Sequence, residues 1–405
     1  MAGSLPVVSI FGVQNVELES ALPCPDFETS KLDCRYYLTD DNVLEVFAKD
    51  RPSAIVSFGD ISEFSNLTAM QYDIRRKWLH FDSTDDLNIK GVQTFNCFIQ
   101  DILNTQYNQP LVSVFTPAYN SGNRIWRPYN SLKKQQYTNW EWVIIDDSND
   151  DGETFKMLSK LADADPRIRL YKEHRHSGVI GRLKRKACQL SEGEFLVELD
   201  HDDEITPDAL ARVVDAYQKN PEVGFVYTDF AECFESGDPV VYGANWGHGY
   251  GSYRKEEHWG VEYMVVNAPN INPKTIRHIV AAPNHIRSWR ASTYHRIGGH
   301  NDGIHVADDY ELMVRTFLNT RMARVPHMCY LQYRNEGVGN THRERNQEIQ
   351  RLVRYFSQYY DEQIHNRFVE LGVDDFIWSP QGSFGRLNAV PNPETEQHCT
   401  ILVGK

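Results

Sequence analysis

The chain is predicted to be an α/β protein built on a doubly wound, mostly parallel sheet. From Leu111 onward, apolar strand-like runs alternate with helix-period segments, the order a parallel sheet requires because each crossover needs a helix. Two successive strands of this pattern run straight into clusters of aspartate. A length of 405 residues, 41% hydrophobic and 24% charged, supplies core enough for two or three domains.

Residues 1–109 form one compositional block, read as a small α/β region of unknown role. The N-terminal apolar patch, Val7 to Phe11, has no basic segment before it and reads as a first strand rather than a signal peptide. Ala54–Phe58 is a second clear strand, ending in Gly59 and followed by a helical segment with Arg75, Arg76 and Lys77. The polar stretch Asn104 to Pro110 suits a linker. Residues 110–345 then form the main domain, and residues 346–405 a helical and irregular extension.

In the main domain, Leu111–Phe115 is a strand and Thr116 to Gly122 a turn-rich loop. A helix follows around Tyr129 to Gln136. The strand Trp140–Ile145 runs into Asp146-Asp-Ser-Asn-Asp-Asp-Gly152. After a helix from Thr154 to Ala164, a strand at Ile168–Tyr171 and a basic helix from Gly181 to Leu190 comes the apolar run Phe195–Leu199. It ends in Asp200, Asp202 and Asp203. Strands disfavour Asp, so these acids belong just past the strand's carboxyl end, where open α/β sheets bind ligands. Beyond it lie a helix from Ala209, a strand at Gly224–Thr228, and a loop-like stretch from 236 to 275 rich in Tyr, Trp and His. Helical spacing returns from Arg343 to Arg367, and the residues from Ser379 read as irregular.

Composition excludes some function classes. A net charge of −14 argues against a general nucleic-acid binder, which needs a basic face. Seven scattered cysteines with no C-x-x-C pair fit free thiols in a reducing compartment. No apolar run is long enough to span a bilayer. The chain is therefore expected to be cytoplasmic, without a transmembrane segment; peripheral membrane contact and an oligomer stay open.

Clustered carboxylates repel unless a cation neutralises them, and hard oxygen ligands on a short loop suit Mg²⁺ or Mn²⁺, which in turn suit a diphosphate. The competing reading is an acidic turn capping the helix that Thr206-Pro-Asp208 begins. Both Asp146-Asp147 and the Asp200–Asp203 cluster should face one rim of the sheet.

Four motifs together resemble the nucleotide-sugar glycosyltransferases of the GT-A fold (Rossmann-like), in particular the inverting family 2, over residues 111–342. They are Val112-Ser-Val-Phe-Thr-Pro-Ala-Tyr-Asn120; Trp142-Val-Ile-Ile-Asp-Asp-Ser-Asn-Asp150; Gly193 to Leu210 with its Asp-His-Asp-Asp; and Arg296-Ile-Gly-Gly-His-Asn-Asp302 followed by Val306-Ala-Asp-Asp-Tyr-Glu-Leu312. The resemblance implies a metal-dependent transfer of sugar from a UDP- or GDP-type donor to a saccharide or lipid-linked glycan acceptor, in polysaccharide or glycoconjugate synthesis.

It also implies roles. Thr116, Pro117 and Tyr119 would line the nucleotide loop, and Asp147, with Asp146 beside it, would accept hydrogen bonds from the base. Asp200, with His201 beside it, would meet the ribose or the metal. Asp202 or Asp203 would hold Mn²⁺ or Mg²⁺, and His342 is a candidate further ligand. Asp309, with Asp308 as neighbour, would take the acceptor's proton. Gly298 and Gly299 would allow close approach of the acceptor, and Trp246 in the aromatic loop would contact it. Arg182, Lys184 and Arg185 have two readings, a phosphate-facing group or a solvated helix face; the family usually has small residues and Asn here. Two rival functions remain, a nucleotidyltransferase and a non-catalytic carbohydrate-binding protein. The first lacks its Gly-rich basic loop after the first strand; the second would be favoured by loss of Asp202 or Asp309, and both are present.

Overall fold

The computed structural model describes residues 7–14, 32–39, 41–50, 52–68, 77–108, 110–243, 250–278, 283–335, 344–383 and 400–403. The chain divides into two compact units, residues 1–110 and 111–405.

The first unit is a four-stranded parallel sheet in the order β2-β1-β3-β4. The strands are β1 (Val7–Phe11), β2 (Asp33–Tyr37), β3 (Ala54–Phe58) and β4 (Trp78–Phe81), with helices α1 (Val43–Asp50) and α2 (Ile89–Asn108). Every residue of β3 is buried, as a parallel strand covered on both faces must be. One face packs Ile10, Val56 and Phe95; the other packs Phe11, Ile55 and Phe64. The stretch expected to be a linker is mostly helix, because α2 runs through Asn108. Polar composition does not end a helix; Pro110, which lacks an N–H and disfavours helix in the residue before it, lies just past this one.

The second unit carries the expected α/β arrangement, a doubly wound sheet with a parallel core that is extended by antiparallel strands. Its elements are β5 (Val112–Ala118), α3 (Trp126–Lys133), β6 (Trp140–Asp146), α4 (Glu153–Ala164), β7 (Ile168–Lys172), α5 (Ile180–Leu190), β8 (Phe195–Glu198), β9 (Glu204–Ile205), α6 (Ala209–Lys219), β10 (Val223–Phe234), β11 (Ser252–His258), β12 (Val261–Asn267), β13 (Arg287–Arg290), α7 (Ala291–Arg296), α8 (Asp308–Asn319), β14 (Arg321–Arg334), α9 (Asn346–Tyr359), α10 (Asp361–Glu370) and β15 (Thr400–Leu402). The sheet runs β7-β6-β5-β8-β13-β10-β12-β11. Strands β5 to β8 are parallel, and β13 is inserted antiparallel between β8 and β10. Ala118 pairs with Asp146, so β5 and β6 end level, while β8 ends at Glu198 opposite Phe115, three residues earlier; the strands are parallel, so all three carboxyl ends lie at the same edge of the sheet.

Three segments differ from expectation. The aromatic stretch from 236 to 275 is not all loop: β11 and β12 form a hairpin within it. Strand β10 extends to Phe234, twelve residues in all, because β14 pairs with it along its length. The last residues are not all irregular, since Thr400–Leu402 pairs with β14. The C-terminal helices belong to the second unit. Phe368 of α10 packs on Phe317 of α8, ring centroids 4.9 Å apart. Fully buried Arg277 bonds Asp361 at 2.7 Å and Asp375 at 2.8 Å. Among the described residues, no helix is long and apolar enough to cross a membrane.

Candidate active site at the carboxyl ends of the strands

The loops after β5 and β6 are tied together by reciprocal amide bonds: Asn120 Nδ2 donates to Asn149 Oδ1 at 2.9 Å, and the Asn149 N–H to Asn120 Oδ1 at 3.1 Å. Asp147 is buried and turned inward. Its carboxylate accepts from the backbone N–H groups of Ser177 (2.8 Å) and Gly178 (3.1 Å), which fixes the loop before α5. Asp146, 1% exposed, accepts from the Ser148 N–H at 3.2 Å through Oδ1, while its Oδ2 has no partner. Burial raises its pKa. Of the two, Asp146 is thus the acid with accepting capacity to spare. Tyr119, 42% exposed, stacks on His176 with ring centroids 4.7 Å apart. Thr116 is placed differently from its expected nucleotide contact. Its hydroxyl is buried, donates to Leu199 O at 2.6 Å and accepts from Trp142 Nε1 at 2.8 Å. Pro117 is likewise buried within β5.

Past β8 the three acids have separate environments. Asp203 is buried and accepts from the Tyr330 hydroxyl (2.9 Å) and the Tyr333 N–H (2.8 Å). Burial and the charges of Asp202 and Asp200 push its pKa well up. Asp200 is partly exposed, and its pKa is pushed up to about 6, first by burial. Asp202 points its carboxylate at the side-chain amide of Asn335, and its carbonyl accepts from Arg127 Nη1 at 2.9 Å. His201 lies beside them, with a buried Nδ1 lacking a partner.

The residue that completes this group was not singled out in the sequence. His285, 2% exposed, stacks on Tyr330 at 4.2 Å, and its Nε2 lies 3.7 Å from Asp200 Oδ2. One ligand atom from each of Asp200, Asp203 and His285 lies within 4.8 Å of the others. Burial and nearby Arg287 hold His285 well below the usual histidine range, which keeps it a neutral ligand. Two carboxylates and an imidazole fit a divalent first-row cation, and the imidazole favours Mn²⁺ over Mg²⁺. His342 lies outside the described residues, as does Trp246.

The acids that open α8 sit across a buried charge cluster. Fully buried Glu198 pairs with Lys184 Nζ at 2.7 Å and with Arg287 through Nε (2.9 Å) and Nη2 (2.8 Å). Arg287 Nη1 then donates to Asp309 Oδ2 at 2.8 Å. Lys184 is therefore not on a phosphate-facing surface: it is buried and committed to Glu198. Arg182 is exposed, and Arg185 lies 3.5 Å from Asp302. Asp308 is buried, its Oδ2 unpartnered and 3.9 Å from both Lys184 Nζ and His300 Nε2. Burial pushes its pKa up to about 6. Asp309 keeps 26% of its side chain exposed. Gly298 and Gly299 form a left-handed turn (φ 88° and 64°), and a side chain on Gly299 would meet the Tyr294 ring at 2.6 Å. That close approach is to the protein's own ring. Arg287 joins Asp309 to Glu198, which stands two residues before Asp200, so this charge cluster connects the two acid groups.

Residues 113–269 match the model of Glycosyl transferase family 2. A chondroitin synthase of Pasteurella multocida is 25% identical over 221 residues, 55% of this chain and 20% of that protein. The UDP-Glc:alpha-D-GlcNAc-diphosphoundecaprenol beta-1,3-glucosyltransferase WfgD of Escherichia coli is 32% identical over 120 residues, 30% of this chain and 46% of that one. The chain thus spans well under two thirds of either relative's length. Among solved structures, S. aureus TarS 1–349 in complex with UDP-GlcNAc superposes with a TM-score of 0.46 at 19% identity, covering 64% of this chain and 72% of that one.

Proposed function

We propose that residues 113–269, which match the Glycosyl transferase family 2 model, form a domain of that class, and that the chain catalyses a metal-dependent, inverting transfer of sugar from a nucleoside-diphosphate donor to a glycan acceptor. The observation that supports it best is the meeting of two acid groups with different surroundings across one charge cluster. Asp200, Asp203 and His285 offer a compact ligand set. Asp309, partly open to solvent, is held on one oxygen by Arg287, whose other edge Glu198 grips.

In this reading the base lies beside the Asp146–Asp147 loop, supported by the exposed face of the Tyr119–His176 stack. Asp200, Asp203 and His285 would hold Mn²⁺ or Mg²⁺, which when bound stabilises negative charge on the departing nucleoside diphosphate. Asp202 stands beside that set, its carboxylate kept in place by Asn335. Asp309 takes the proton of the acceptor hydroxyl as its oxygen bonds the anomeric carbon and the bond to the diphosphate breaks. Two names among the relatives, a chondroitin synthase and a glucosyltransferase acting on a lipid diphosphate, favour a polysaccharide or lipid-linked glycan as acceptor.

The test is calorimetry with UDP and GDP, each with and without Mn²⁺, followed by a screen of nucleotide sugars for metal-dependent hydrolysis. Binding of one nucleotide that requires the metal is expected. Nucleotide affinity indifferent to the metal would count against the ligand set, and no nucleotide binding at all would overturn the transfer reading.

A further inference from the structure

Strand β8 is apolar and buried at Phe195, Leu196 and Val197, and then places Glu198, with no solvent exposure, in the same interior. A lone carboxylate there would cost many kcal/mol. Lys184 from α5 and Arg287 from β13 offset that cost. Stability alone does not explain the choice, because well-packed apolar residues in place of a buried ion pair are often neutral or better.

What the cluster does is directional. Glu198 grips Arg287 at two points, Nε and Nη2. A guanidinium is planar and rigid, so fixing those two donors leaves Nη1 one direction in which to point, and it points at Asp309 Oδ2. The second cation leads to the second acid: Lys184 Nζ, bonded to Glu198, lies 3.9 Å from Asp308 Oδ2. One buried carboxylate therefore orients two cations, each addressed to one of two adjacent acids. Gly181, one turn from Lys184 on α5, lets this helix approach closely. A side chain there would meet Asn301 O at 2.5 Å and Asp308 Cβ at 3.0 Å. The acids themselves follow Ala307, whose left-handed backbone (φ 60°) is a costly conformation for a residue with a Cβ. A start of helix bent in this way needs an external hold.

We propose that Glu198 is a positioning residue: through Arg287 and Lys184 it sets the orientation of the Asp308–Asp309 pair. The inference rests on the reading of Asp309 as proton acceptor and deepens it.

Two variants test it, Glu198→Gln and the double variant Glu198→Gln with Lys184→Met. The second removes the buried charge together with one of its two counter-cations and leaves Arg287 with Asp309 as partner, so loss of folding from an unpaired charge is avoided. Each is measured by turnover of the donor sugar found in the screen, by titration with UDP or GDP plus Mn²⁺, and by a crystal structure of the double variant. Positioning predicts a fall in kcat on the order of 100-fold, as for a misplacement of about 1 Å, with donor KM and nucleotide Kd nearly unchanged. It also predicts an Arg287 guanidinium displaced from Asp309. A double variant that turns over like the native protein, or whose Arg287 still donates to Asp309, overturns the proposal. A native protein that binds no nucleotide sinks the transfer reading instead, and the crystal structure still decides the role of Glu198.

Discussion

Arg287 donates to Asp309 Oδ2 at 2.8 Å through Nη1 while Glu198, on a different strand, holds the other edge of the same guanidinium. Asp309 is therefore aimed by a cation that cannot swing away, and the adjacent Asp308 is left buried with an unpartnered oxygen. Two neighbouring acids thus differ in exposure and in partners, and such a difference in surroundings lets one pair of carboxylates serve two roles.

Replacing Asp309 with Asn keeps the shape of the site and removes the proposed proton acceptor. Transfer, or donor hydrolysis where no acceptor is supplied, should fall by a factor on the order of 100 to 10,000. Nucleotide affinity in calorimetry should stay nearly constant. Retained turnover would move the base elsewhere.

Divalent metal should stabilise the protein, because Asp200, Asp203 and Asp202 crowd negative charge that folding alone leaves repelling. At Mn²⁺ about 100-fold above its Kd, linkage supplies about 2.7 kcal/mol, a rise in Tm on the order of 5 °C. Asp203→Asn and His285→Gln should each shrink that rise, read by thermal unfolding with and without the metal. An equal rise in both variants would exclude these ligands.

Asp308 makes a pH prediction with a definite sign. Its folded pKa is raised to about 6 by burial, against about 3.9 for an unfolded Asp. Between those values the native state holds more protons than the unfolded one, so this residue's contribution to stability falls as pH rises from about 4 to 6. Asp308→Asn removes that loss. The variant's Tm relative to native should be higher at pH 7 than at pH 4.5, by an amount worth about 2 kcal/mol. A difference independent of pH would show that Asp308 does not titrate in this range.

Thr116→Val separates a structural hydroxyl from a ligand contact. The Thr116 hydroxyl serves Leu199 O and Trp142 Nε1 inside the sheet, so its loss should cost about 2 kcal/mol of stability by denaturant titration. Nucleotide affinity should be unchanged. Weaker nucleotide binding with unaltered stability would return Thr116 to the nucleotide loop.

Much of the architecture was legible because it follows from local pattern. Alternating apolar runs and helix-period segments reveal a parallel sheet, and an aspartate directly after such a run must lie past the strand's end. What misled was local too. The stretch from 236 to 275 looked irregular because the β11–β12 hairpin is half-exposed and lacks a clean apolar alternation. The basic face at Arg182, Lys184 and Arg185 looked solvated or phosphate-facing because nothing near Lys184 in sequence announces a buried partner. The one available signal was Glu198 itself, a charge in an otherwise apolar strand, which calls for a counter-cation wherever it lies.

By itself the sequence determined where acids stand along the chain: Asp146–Asp147, Asp200–Asp203 and Asp308–Asp309 each at an element's edge. Tertiary structure alone decided which partners each of them finds. Asp147 and Asp203 are engaged by backbone N–H groups, while Asp146 and Asp308 each keep a free oxygen. It also decided that His285 joins the Asp200 group and that Arg287, 89 residues from Glu198, aims Asp309. The reason is physical. Strand and turn preferences act over a few neighbouring residues, whereas hydrogen bonding, desolvation and charge pairing depend on distances in space that only the closed sheet sets.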